Sequence, residues 1–142
     1  MRHSLRFVQL VEGNAEQLAR RCVNRVRTHP ATPTYHTYDE EELFKRAFSV
    51  YSQLGKWLSD ETTKEDIRRV YAALGAQRRT EGFALSEVIQ ALMITRRVLW
   101  EKVENEGFLD TALDLHLAMR LSNHTILFFD RAMLFAAQGY ES

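Results

Sequence analysis

The 142-residue chain has one cysteine (Cys22), two prolines, six scattered glycines and no excess of either charge, with nineteen Lys and Arg against nineteen Asp and Glu. A single cysteine excludes an intrachain disulfide framework and any zinc or iron–sulfur site built from several thiolates. Balanced charge removes the simplest warrant for binding nucleic acid or an anionic membrane. No apolar run approaches the ~18–20 residues of a membrane span, and the start Met1-Arg2-His3-Ser4 has no long apolar stretch behind it. Neither a span nor a secretory leader is expected, and the chain is placed in the cytoplasm. There is no repeat of fixed period and no low-complexity tract. With 45% hydrophobic residues, what is there describes a single domain with its own core, spanning residues 1–142.

Apolar residues recur at helical spacing almost throughout, and nowhere do β-branched residues alternate between turn signals, which predicts an all-α fold. The pattern divides the chain into a first helix within 1–28, a linker loop at 29–38 and a helical core at 39–142. Leu5, Val8, Val11, Ala15, Leu18, Cys22 and Val26 form the stripe of the first helix, and the linker holds both prolines, Pro30 and Pro33. Asp39 is the expected cap of a second helix, with Glu42 as its capping-box partner; this helix runs on to about residues 59–61. Thr62 and Glu65 form a second capping-box pattern, opening a third helix that Gly82 stops. A fourth starts near residues 84–86 and ends at Gly107, and Asp110 is the expected cap of the last and longest. Residues 125–137 of that helix are apolar nearly all round except Asp130 and Arg131, so neighbours must cover them, within one chain or across a dimer. The expectation is a bundle of about five helices with a long C-terminal helix, an arrangement compatible with a globin-like fold.

Chemical motifs are scarce. There is no Gly-x-Ser-x-Gly elbow, no Gly-rich phosphate loop, and none of the five histidines follows a glutamate by the three residues that carboxylate-bridged metal bundles use. Neither an enzyme nor a metal site is expected, and Cys22, on an apolar stripe, reads as a small buried hydrophobe. Haem needs only one histidine in an apolar pocket. His116 and His124 are the candidates, eight residues apart and so about 80° apart in direction, although each can equally be a hydrogen-bonded surface histidine. The densest polar feature comprises Arg78, Glu81 and Glu87, then Arg96 and Arg97, and on the last helix Asp130 and Arg131. Three readings stand for it: an interhelical ion-pair network, a pocket for an anionic ligand, or a partner-facing surface. Phe128 and Phe129 are adjacent, about 100° apart, and cannot both face one neighbour; with Phe135 they are the candidates for a subunit interface.

Leu74-Gly75, Arg78 and Gly82, followed by Leu85 and by Arg97 and Trp100, form a Leu-Gly-x-x-Arg-x-x-x-Gly stretch and a Leu-rich helix ending in Arg-x-x-Trp. On these residues the chain resembles the RsbRD N-terminal domain family, all-helical regulatory domains named after an RsbT co-antagonist of the bacterial stressosome. The resemblance covers roughly residues 51–141. Ala84 departs from it, standing where relatives often carry proline. The resemblance implies a bacterial sensory or regulatory module in signal transduction and carries no catalytic residues. With the chain read as standing without an attached effector, the expectation is action through a protein partner and a homodimer built on the last helix. The alternative is a globin-like sensor that binds haem or a small apolar or anionic ligand.

Overall fold

Asn14 divides what periodicity reads as one helix. Its side-chain amide donates to the Leu10 carbonyl at 2.7 Å while its own carbonyl accepts from Leu18 N–H at 3.0 Å, so one helix ends and the next begins on the same residue. Gln53 makes a second such break. The computed structural model describes residues 2–106 and 112–142. Among these are seven helices, α1 (Arg2–Gly13), α2 (Ala15–Thr28), α3 (Glu40–Ser52), α4 (Leu54–Trp57), α5 (Lys64–Thr80), α6 (Leu85–Asn105) and α7 (Ala112–Glu141), with a 3-10 turn at Pro33–His36 and no strand. The all-α expectation holds, and the five expected helices become seven because the first two are each broken once. The expected signals at Gly107 and Asp110 lie outside the described residues.

The caps follow local competition for donors. Asp39 accepts from Glu42 N–H at 3.0 Å, but the Glu42 carboxylate turns to Arg46 and leaves the box half built. At α5 the reciprocal box is Thr63 with Asp66, one residue beyond the expected pair. The Thr62 hydroxyl is already spent on the Lys56 carbonyl, and Glu65 on Arg68. Gly82, with φ of +93°, stops α5 as expected: Phe83 N–H reaches the Arg78 carbonyl and Gly82 N–H that of Arg79, both at 3.1 Å.

The linker at 29–38 is not a loose loop. Thr32 is fully buried, with its hydroxyl on the Val26 carbonyl at 2.7 Å, and Glu87 accepts from both the backbone N–H (2.6 Å) and the hydroxyl (2.8 Å) of Thr34. Tyr35 is buried against Phe83, their ring centroids 4.4 Å apart.

The most extensive pairing in the fold joins α5 to α7. Small residues make it possible: a Cβ on Gly75 would fall 1.9 Å from the Ala136 carbonyl oxygen, and one on Gly139 would fall 2.0 Å from that of Ala72. Phe128, Phe129 and Phe135 are buried in this chain's own core, which corrects their placement at a subunit interface. Phe128 stacks on Trp57 at 5.5 Å and meets Tyr71 edge-on at 5.8 Å, because these rings are the large apolar surfaces that α4 and α5 offer to α7. Outward-facing on α7 are instead Met119, Ile126, Leu127 and Leu134.

Candidate functional site

The stripe of α5 runs Ile67, Tyr71, Leu74 and Arg78, spacings of four, three and four that place a guanidinium where an aliphatic side chain is expected. On α3 the steps from Leu43 to Arg46, Ala47 and Val50 do the same for Arg46. Where these faces meet α2, α6 and the 3-10 turn, the bundle leaves a partly open cavity of about 90 Å³, lined by both arginines. Its other walls are aliphatic, except for Tyr35, Tyr71 and, from α2 and α6, the pair Cys22 and Thr95.

Glu81 holds the two arginines together. Arg46 donates to both its oxygens, at 2.9 and 2.6 Å, and Arg78 to one of them at 3.2 Å. Gln77 adds a fourth bond at 3.2 Å. Arg46 also donates to Glu42 at 3.2 Å and to the Tyr38 hydroxyl at 3.3 Å. The side chains of Arg46, Glu81 and Arg78 are 18%, 16% and 9% exposed, so this network sits inside the bundle rather than on it. Burial works against the charge of each. At Glu81 the hydrogen bond from Arg46 and the charges of Arg78 and Arg46 outweigh burial and hold the carboxyl below its ordinary range. Arg46 is likewise raised, its bonds to Glu81 and Tyr38 prevailing over burial. Arg78 is lowered, by burial first and then by the neighbouring Arg46 charge, because it has only a share of one carboxylate.

The other residues of the expected polar cluster go elsewhere. Glu87 caps α6 through Ala84 N–H at 2.9 Å and pins Thr34; these backbone and hydroxyl donors outweigh burial and lower its carboxyl. Arg96 pairs with Asp130 across 3.6 Å at the surface, where such pairs contribute little. Arg97 is exposed on α6 and Arg131 half-buried on α7, and neither is bonded to Glu81. Of the seven residues, then, only Arg78 and Glu81 share one site. Arg46, Tyr38 and Tyr35 belong to that site and were missed; the signal was Arg46 three residues after Leu43, on the same helical face.

Also in the cavity wall, Cys22 Sγ lies 3.5 Å from the Thr95 hydroxyl, which itself donates to the Ala91 carbonyl at 2.8 Å. The buried Tyr51 donates to the Thr95 carbonyl at 2.8 Å. Burial pushes the Cys22 thiol up, and no basic nitrogen is bonded to it. The haem candidates fare differently: His116 and His124 are exposed on α7, and neither lines the cavity. Benzene occupies a cavity of about 150 Å³. A space of about 90 Å³ therefore does not admit a porphyrin.

A family model for the RsbT co-antagonist protein rsbRD N-terminal domain matches residues 15–142. The chain belongs to this family. No curated protein and no solved structure matches it. Membership makes the role regulatory and related to the stressosome. The motif residues of this member have separate tasks: Gly75 admits α7, Arg78 enters the cavity, and Gly82 turns the chain between α5 and α6. No helix among the described residues is long and apolar enough to cross a membrane.

Proposed function

We propose that the chain is a non-enzymatic regulatory module that works through protein–protein contact, with a second copy of itself as its first partner, in bacterial signal transduction. The supporting observation is the outer face of α7. Met119, Ile126, Leu127 and Leu134 are all exposed, and at 3.6 residues per turn they fall within an arc of about 100°. Four large apolar side chains gathered on one exposed helical face are more than scattered surface hydrophobes and mark an association surface. Asp130 falls within the same arc and pairs with Arg96 of α6, an ion pair that a two-fold partner could exchange.

A signal reaches such a surface only if two packings of the bundle differ in affinity for what binds. The close α5–α7 crossing makes a shift of α7 a discrete repacking rather than a smooth slide. Sedimentation equilibrium tests the reading. The wild-type chain is expected to dimerise and a Leu127→Glu, Leu134→Glu variant to be monomeric with an unchanged helical spectrum. A wild-type chain that stays monomeric at high micromolar concentration overturns it.

A further inference from the structure

The cavity between α3 and α5 is lined by two guanidinium groups that the chain serves unequally. Arg46 and Arg78 line it, and Glu81 serves both. Arg46 is well supplied, with Glu42 and Tyr38 as further acceptors. Arg78, its side chain only 9% exposed, donates a single bond, at 3.2 Å, to an oxygen that Arg46 already uses. A guanidinium has five N–H donors; most of those of Arg78 carry no bond within the chain, and its unbonded nitrogens keep contact with solvent, so they are open to a second acceptor. Tyr35 lines the same cavity, close enough to Arg78 and Arg46 to feel their charge. Burial raises its hydroxyl to about 12, so it stays protonated and able to donate.

Away from these groups the walls are Val26, Val50, Leu74, Val88 and Leu92. Such walls offer nothing to the extra oxygens of phosphate or sulfate. They suit a ligand with a planar anionic head, which matches the fork of an arginine, and a short hydrocarbon tail. Size bounds the length: if a cavity of about 150 Å³ holds the six carbons of benzene, one of about 90 Å³ holds roughly four non-hydrogen atoms, the size of acetate.

We propose that this cavity is a binding site for short-chain aliphatic monocarboxylates, of the size of acetate and propionate, with the carboxylate on Arg78 beside Tyr35 and the alkyl group among the aliphatic walls. The proposal rests on the regulatory reading only for its consequence, that occupancy biases the packing of α5 and thereby of α7. Binding itself is independent of α7 association. A ligand this small binds in the micromolar to millimolar range at best.

Isothermal titration calorimetry and thermal unfolding of the full chain test it, using sodium acetate, propionate and octanoate, with sodium chloride at matched ionic strength. Acetate and propionate are expected to bind one per chain and to raise Tm above the chloride control; octanoate is expected to do neither. Arg78→Met should abolish both effects. Ala91→Leu fills the cavity from α6 while leaving Arg78 in place, and should abolish binding in a chain at least as stable as wild type. Absence of binding by every acid, a Tm rise equal to that in chloride, or binding that persists in Ala91→Leu overturns the proposal. The Leu127→Glu, Leu134→Glu variant should still bind propionate, so failure of the dimer reading and failure of the ligand site are read separately.

Discussion

Gly75 on α5 and Gly139 on α7 each lie where the other helix's backbone leaves no room for a side chain. The two sites are reciprocal: an added Cβ at Gly75 meets the Ala136 carbonyl oxygen at 1.9 Å, and one at Gly139 meets that of Ala72 at 2.0 Å. Backbone cannot swing aside as a flexible side chain can, so either substitution must push the helices apart along their whole crossing. Gly75→Ala and Gly139→Ala should each cost about 3 kcal/mol or more, the upper end for overpacking, and lower Tm by roughly 10 °C. Gly13→Ala, where an added Cβ meets nothing within 4 Å, should leave the melting curve within about 2 °C of wild type. Thermal unfolding followed by circular dichroism separates these outcomes. A Gly75→Ala chain that melts like wild type would show that α7 is not seated as described.

Trp100 on α6 is half-buried, its ring centroid 5.7 Å from that of Phe7. Its match to the family motif invites the expectation of a fully buried ring, whose removal costs about 3–5 kcal/mol. Partial burial reduces that cost, and Trp100→Ala should destabilise by about 1–2 kcal/mol in urea unfolding. A loss near the upper figure would show that the ring is covered in solution by something beyond this chain's own core.

Helical periodicity announced the elements well because most faces alternate cleanly between core and water; Val11, Leu18 and Val26 are all buried where the stripe placed them. The breaks at Asn14 and Gln53 were passed over because the apolar stripe runs straight across both, although Gly13-Asn14 is a helix-stop signal at the first. The rings of Phe128, Phe129 and Phe135 were misplaced for a related reason. An apolar helix says that it needs cover, and says nothing of whether the cover comes from Trp57 and Tyr71 of the same chain or from another. The site was half legible. Arg78 on an apolar stripe demanded an acceptor, and Glu81 is one helical turn away. Arg46, 35 positions before Glu81 in sequence, belongs to the pair only through the tertiary fold.

Cys22 should be inert while the chain is folded. Its thiol is buried, desolvation raises it, and its contact is the Thr95 hydroxyl. Because the thiolate is the reactive form, modification by a disulfide reagent at neutral pH should track global unfolding. The expected result is negligible labelling in buffer and complete labelling in denaturant. Rapid labelling in buffer would mean that the cavity wall opens far more often than the whole fold does. Saturating propionate should slow the residual labelling further if the cavity binds it.

The Glu81 carboxylate ties α5 to α3 through Arg46, and its hydrogen bonds and the two arginine charges hold it below the ordinary carboxylate range against the opposing effect of burial. A group whose folded value is depressed contributes stability that is fully present above its unfolded value, about 4.3 for glutamate, and that is lost as pH falls through the folded value. Glu81→Gln keeps the shape and loses the charge, leaving two buried guanidinium groups without their shared counter-ion. At neutral pH it should cost about 3 kcal/mol, the lower end for breaking a buried pair, because the network keeps some contact with water and Arg46 retains Glu42. The gap between wild type and variant should stay constant from pH 8 to about 5 and then narrow towards acid. Some acid sensitivity should remain in the variant, since Glu87 and Glu101 are also lowered, the first by backbone and hydroxyl donors that outweigh its burial and the second by its bond to Arg25. Urea unfolding of both chains across this range measures the gap directly. A gap that widens below pH 4 would mean that Glu81 is more easily protonated in the folded chain than in the unfolded one, and that the two arginines do not hold its charge.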